Sequence, residues 1–317
     1  MKSIVIYHSM SGNTKKIAEA IHAGMSQSGE PCDIARLKDI DTPDLAGYDL
    51  IGLGSPVIYI RELANMTDFI EFTLKNVEGK HGFAFCTHGA LPGYYLARVV
   101  PAMMQKGLII IGWNDWFCSV VFPVVPMPYF TDGHPDAIDL KEAEDFGREM
   151  VERSRRIYHG ETQLIPTFPK GREYEEIYVP PQVELPPKLS DPEWKRNKIA
   201  EAGIEFKVNA EKCKYPKCTF CIDNCPTESI DFSTSPPIFN INCTRCWLCE
   251  QTCPSGAIEV DWEPLQKAHE PFTISLLQRS LEIFETKGRF RRLVPLENIG
   301  WDTPFWKLKK HPRFKVA

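Results

Sequence analysis

Eight of the eleven cysteines fall between Cys213 and Cys253, in two runs: Cys213, Cys218, Cys221, Cys225 and Cys243, Cys246, Cys249, Cys253. Each run ends C-x2-C-x3-C-P, with Pro226 and Pro254 after the last cysteine. The runs are an internal repeat. Cys225-Pro-Thr-Glu-Ser-Ile-Asp-Phe returns as Cys253-Pro-Ser-Gly-Ala-Ile-Glu-Val after a displacement of 28 residues, and the same displacement carries Cys218 and Cys221 onto Cys246 and Cys249. Met1 and Lys2 pass straight into a short apolar run with no export signal, so a cytoplasmic protein is expected, and there thiols stay reduced. Disulfides are thereby disfavoured and metal ligation favoured. A pair of zinc ribbons would also use C-x2-C spacing, but zinc needs neither the third cysteine of each run nor the prolines. An iron-sulfur cubane needs four thiolates at the corners of a tetrahedron. Three cysteines on one tight loop supply one side of it, so the fourth must come from elsewhere.

The doubled motif resembles bacterial two-cluster ferredoxins throughout residues 205–262. In that pattern the fourth cysteine of each run ligates the other cluster. The resemblance therefore implies one 4Fe-4S cluster on Cys213, Cys218, Cys221 and Cys253, and a second on Cys243, Cys246, Cys249 and Cys225. Apolar stretches at Phe206–Val208 and Ile238–Ile241 precede the two runs, so each half reads strand, cysteine loop, short helix, strand, a small α+β domain. The sequence departs from the family between Cys213 and Cys218, where Lys214–Lys217 makes four residues in place of two. Cys32, Cys86 and Cys118 lie outside the array and read as buried small side chains.

The first 160 residues have a different pattern, apolar runs alternating with helical segments, which predicts an open α/β sheet. Strands are expected at Lys2–Tyr7, Asp49–Leu53 and Phe83–Cys86 and within Leu108–Val121. Helices are expected at Asn13–Met25 and at about Leu140–Tyr158, the latter with Asp139 available as N-cap and Gly160 near its end. Between the first strand and first helix lies Ser9-Met10-Ser11-Gly12-Asn13-Thr14, whose hydroxyls and helix N-terminal amides suit a phosphate. Taken alone it also reads as an ordinary capped turn. It resembles the T-x-T-G-x-T phosphate loop of flavodoxins, with serine for the first two threonines. Gly52-Leu-Gly54-Ser55-Pro56-Val57-Ile-Tyr59 is similar to the flavodoxin loop beside the isoalloxazine ring, where Tyr59 would stack on the flavin. Cys86-Thr87-His88-Gly89 follows the fourth strand, where flavodoxins place further ring contacts. The resemblance implies a doubly wound parallel sheet of order 2-1-3-4-5 and noncovalent FMN at the switch between strands one and three. His8 and His88 border that pocket as candidate proton or hydrogen-bond donors to the flavin, although a loop histidine is more commonly structural.

Four regions are expected: a flavodoxin-like FMN domain at 1–160, a proline-rich linker at 161–204, the two-cluster domain at 205–262 and a C-terminal extension at 263–317. The whole resembles the flavodoxin-ferredoxin fusions of anaerobes, which also carry a stretch similar to Val125-Pro-Met-Pro-Tyr-Phe130. The extension predicts a helix at Ile274–Thr286. Its interleaved Arg289, Arg291, Arg292, Trp301, Phe305, Trp306, Lys307, Lys309 and Lys310 suit a docking arm for a partner or a second copy of the chain. A formal charge of -5 argues against nucleic acid as the partner. No run of about 20 apolar residues predicts a membrane span. The leading expectation is electron transfer between the clusters and FMN, served by a redox partner protein, either a ferredoxin or an oxidoreductase. An FMN-dependent reductase of a small organic substrate, wired by the clusters, is the alternative, with Trp113, Trp116, Tyr94 and Tyr95 as candidate covers. A third reading treats the first domain as a docking module without flavin. No G-x-G-x-x-G follows a strand, so direct nicotinamide chemistry is not expected.

Overall fold

The computed structural model describes residues 1–180, 206–240, 243–308 and 312–316, with backbone only at 42–44, 268 and 272. The chain divides into two compact units, Met1–Ser119 with Gly133–Gln182, and Val120–Asp132 with Val183–Ala317. Among the described residues no helix is long and apolar enough to cross a membrane.

The first unit holds a parallel sheet of order β2-β1-β3-β4-β5, formed by β1 (Ser3–Tyr7), β2 (Cys32–Arg36), β3 (Leu50–Pro56), β4 (His81–His88) and β5 (Ile109–Phe117). β1 and β4 are buried along their whole length, as expected for central strands covered on both faces. The edge strand β2 is half exposed, and its mixed Cys-Asp-Ile-Ala-Arg sequence lacks the apolar run that marks the others. Around the sheet lie α1 (Asn13–Ser26), α2 (Ala64–Asp68), α3 (Tyr95–Gln105) and α4 (Ala137–Tyr158). α1 turns Ile17, Ala18, Ile21 and Met25 inward at helical spacing, onto a core shared with Val5, Phe83, Phe85, Phe146 and Met150. The N-cap of α4 is Asp136 rather than Asp139. Asp136 accepts from the Ile138 and Asp139 amides, and Asp139 returns the bond to the Asp136 amide, a complete capping box.

The start of the expected linker is structured. α5 (Arg172–Tyr178) buries Tyr174 and Tyr178, Phe168 packs edge-on against Trp113, and Trp113 donates to the Tyr178 hydroxyl at 3.0 Å. Residues 181–204 lie outside the described residues, as do Ile241, Lys309 and Lys310.

The second unit carries far less regular structure. β6 (Phe206–Val208) leads into the first cysteine run and α6 (Phe220–Asp223), then β7 (Ile230–Asp231); β8 (Ile238–Phe239) leads into the second run and α7 (Leu248–Thr252), then β9 (Ile258–Val260). β6 pairs antiparallel with β9, and β7 with β8. A longer helical stretch follows, α8 (Glu263–Phe272), a π turn at Thr273–Gln278 and α9 (Arg279–Thr286). The helix therefore starts well before Ile274. Pro264 sits in its first turn, where a missing N–H costs nothing, and the π turn follows the internal Pro271. The excursion Val120–Asp132 packs in this unit, where Val124 joins Trp247 and Trp262 in an apolar cluster. Trp301 meets Phe130 edge-on, and Phe305 is buried.

Candidate functional site

Three loops meet at the carboxyl edge of the sheet, following β1, β3 and β4. After Tyr7 the chain turns through Gly12, whose φ of 99° lies in the left-handed region that glycine tolerates. The Gly12 amide donates to Ser9 Oγ at 3.2 Å, and α1 begins at Asn13 with no side-chain cap and no acidic residue in its first turn. Where Asp136 accepts from the first amides of α4, the N-cap of α1 supplies no side-chain acceptor for its own. Those amides are the donor set an anion requires. Neighbouring elements fix the loop: Thr14 Oγ1 meets Thr87 Oγ1 at 2.7 Å inside the protein, Asn13 Nδ2 donates to Ser119 O at 2.9 Å, and the His8 amide donates to Gly54 O at 2.9 Å. Beyond β3, Ile58 and Arg61 exchange both backbone bonds across Tyr59 and Ile60, with φ values of 53° and 57°. Two consecutive positive φ angles on bulky residues, one β-branched, are a strained arrangement. It is held by the Tyr94 amide donating to Ile60 O at 2.8 Å and by buried Glu62, which accepts from Arg61, Thr67 and Arg98. Tyr59 stands half-buried at the tip. Burial pushes the His8 imidazole down to about 4, so the ring is neutral near pH 7.

In the second unit, Cys225, Cys243, Cys246 and Cys249 line a single pocket of about 320 Å³ of empty space, open solvent included. Phe206, Ile230, Phe239, Trp247 and Leu248 supply its apolar wall. Arg245 and Trp247, on either side of Cys246, have φ values of 56° and 63°, and this left-handed backbone curls the loop. The two halves repeat one contact at equal length: the Ser229 amide donates to Cys225 Sγ, and the Ala257 amide to Cys253 Sγ, each at 3.3 Å. Burial pushes the Cys221 thiol up to about 11, with Cys253, Cys213 and Cys218 adding to it. Burial likewise pushes Cys246 up to about 12, with Cys225 and Cys243 adding. Cys249 is raised by burial and by Cys246, Cys243, Cys225 and Cys221. Cys221 thus feels the thiols of Cys253, Cys213 and Cys218, and Cys249 those of Cys246, Cys243, Cys225 and Cys221. Among the described residues no group of three or more His, Cys, Asp or Glu side chains is placed to hold a metal ion.

The flavodoxin domain family matches residues 4–97. A flavodoxin of Clostridium saccharobutylicum is 29% identical over 166 residues, which cover 50% of this chain and 100% of that protein. The N-terminal half is a flavodoxin domain. The solved structure of a flavodoxin from the domain Archaea is similar at 26% identity, with 49% of this chain and 99% of that chain covered and a TM-score of 0.41. Elsewhere, an uncharacterized ferredoxin of Methanocaldococcus jannaschii is 36% identical over 58 residues, 18% of this chain and 94% of that protein.

In the flavodoxin domain, the structure brings Ser9, Met10, Ser11, Gly12, Asn13 and Thr14 to one edge with Pro56, Val57, Tyr59, Thr87, His88 and Gly89. Ser55 is placed differently. Its side chain is fully buried and donates to the Tyr95 hydroxyl at 3.2 Å, so it braces the loop from below. Met10 is buried as well, leaving its backbone to face the loop. Of the candidate covers, Trp116 and Tyr95 belong to the interior. The residue that sequence reasoning missed is Asp115. Its Oδ2 lies 2.9 Å from His88 Nε2, and both side chains are buried. One signal could have found it, a carboxylate that with Asn114 interrupts the apolar residues of β5, at the position pairing with Cys86 and next to the Thr87–Trp116 pair.

Proposed function

We propose that this chain is an electron-transfer protein that joins FMN, bound by the flavodoxin domain, to two 4Fe-4S clusters held by the eight cysteines, and works with a redox partner protein. The observation that carries the reading is the pocket lined by Cys225, Cys243, Cys246 and Cys249, since one cysteine is drawn from the first run and three from the second. This is the crossed ligand set expected from the repeat. A cubane exchanges one electron at a time, whereas FMN holds one or two and exchanges them with protons. The protein's own residues would act as follows. The uncapped amides of α1 with Ser9, Ser11 and Thr14 would hold the phosphate; the strained Tyr59 turn and the Thr87–Gly89 loop would border the ring. The Ser229 and Ala257 amides would donate to the two crossing thiolates, and Trp247 with Phe206 would keep water from the second quartet.

The test is anaerobic stopped-flow spectroscopy of the chain as purified. Reduction of the clusters should be followed by bleaching of the flavin absorbance at a rate independent of protein concentration, because both centres share one chain. Flavin that stays oxidised while the clusters are reduced would end the proposal. The His88–Asp115 contact favours a second reading, an FMN-dependent reductase of a small molecule. It keeps an imidazole oriented by a carboxylate beneath the candidate flavin loops, an arrangement suited to proton delivery.

A further inference from the structure

Beyond α9 the chain returns to the cysteine loops. Between Gly300 and Trp306 it runs beside the Val120–Asp132 excursion, with the Phe305 amide donating to Val125 O at 2.9 Å, the Trp306 amide to Pro123 O at 2.7 Å and Thr303 Oγ1 to Met127 O at 2.7 Å. Trp306 Nε1 donates to Gln266 Oε1 on α8 at 2.9 Å. Arg313 then closes onto α7. Its amide donates to Gln251 O at 2.8 Å, and one guanidinium nitrogen donates to both Glu250 carboxylate oxygens at 2.7 and 2.6 Å. Its remaining nitrogens donate to Leu308 O and Trp306 O at 3.1 and 3.3 Å. The Arg313 and Glu250 side chains are 4% and 3% exposed. An exposed pair of this kind contributes little, whereas breaking a buried one strands a charge in the interior.

α7 is five residues long and cannot be stable alone. It nevertheless carries Cys249 and directly follows Trp247, two residues of the pocket wall. We propose that the C-terminal tail is a latch with Arg313 as its positioning residue: by gripping Glu250 it keeps the Cys243–Cys249 loop closed over whatever the second cysteine quartet holds. The identity of that group rests on the proposed function, but the closure does not. The latch sets the second quartet apart from the first, whose α6 carries no buried ion pair among the described residues.

The test uses the full-length protein purified anaerobically, as wild type, Arg313→Gln and the Glu250→Gln/Arg313→Gln double variant, in which no charge is stranded. Hydrogen exchange read by mass spectrometry should be faster in α7 by about ten-fold in Arg313→Gln, equivalent to roughly 1.4 kcal/mol of local opening. Exchange in α6 should not change, and the double variant should fall between. Under a ferrous chelator and iodoacetamide, Arg313→Gln should label Cys243, Cys246, Cys249 and Cys225 ahead of Cys213 and Cys218. Equal acceleration in α6 and α7 would mean general loosening and overturn the latch, as would unchanged α7 exchange in both variants. Iron content of the wild type is read separately. A full complement with unchanged α7 exchange removes the latch alone, and an iron-free chain with the selective α7 effect removes the cluster reading alone.

Discussion

The two units reach order by different routes. The flavodoxin domain is built on strands of up to nine residues in parallel register, broken by one shift between β4 and β5 at Gly82/Phe83, and sealed by an apolar core that includes Val5, Ile21, Phe83 and Phe85. The cysteine unit has strands of two and three residues and helices of four and five around its repeat. Such short elements cannot order themselves. That unit is stitched by side chains instead: Trp247 against Trp262, Tyr215 donating to Phe232 O, and Arg313 on Glu250. On the proposed function the first unit would be a scaffold that a ligand can enter and leave, whereas the second would depend on what its cysteines bind.

The sharpest way to break this contrast is to remove iron. Structural metals in small domains contribute roughly 10 kcal/mol or more to folding. A chelator should therefore make the region around the cysteine runs sensitive to limited proteolysis while residues of the flavodoxin domain survive. Equal resistance of both units would refute the contrast. A smaller effect is expected from Gly54→Ala, because a Cβ there would stand 2.2 Å from the Phe85 ring. Overpacking of this kind costs roughly 1–3 kcal/mol, so the denaturation midpoint of the flavodoxin domain should fall with the iron content intact. Gly12→Ala places a side chain at φ 99°, at a cost of roughly 1–2 kcal/mol. FMN titration should show affinity weaker by about ten-fold, and unchanged affinity would remove the phosphate-loop assignment. A further effect, read as a pH dependence, concerns His8. Its folded value of about 4 lies below the ordinary 6.5, so the unfolded chain binds the proton first as pH falls. Stability from the neutral ring is complete above about pH 6.5 and drains away toward pH 4. Thermal melts across that window should show a gentler decline in His8→Asn, although buried His269 in the other unit titrates with the same sign and must be left in place.

Local chemistry was legible in the sequence, and distant partners were not. The hydroxyl-rich loop after β1, the cysteine repeat and four of the five sheet strands announce themselves by apolar runs, glycine and spacing. β2 is hidden because its half-exposed edge position allows Asp33 and Arg36 where a central strand demands apolar residues. Asp136 was passed over for Asp139 because both belong to one capping box, and only backbone geometry tells the cap from its third-position partner. α5 has seven residues, amid prolines, too short for helical periodicity to show. At the candidate site, Ser55 sits within the motif, but its side chain turns to Tyr95, forty positions away, and Asp115 meets His88 across neighbouring strands. The aromatic residues of the C-terminal extension, expected to dock a partner or a second copy of the chain, include Phe305, which is buried, and Trp306, which bonds to α8. Their partners lie in Val120–Asp132 and, for the Trp306 ring, in α8, and no spacing rule connects them.

The most direct test of the central claim is the metal, sulfide and flavin content of the full-length chain purified without oxygen. About eight iron atoms and about eight acid-labile sulfides per chain are expected, the content of two cubanes, together with FMN in equal amount to the protein. Zinc in place of iron, or iron far below that figure after anaerobic reconstitution, would contradict the account.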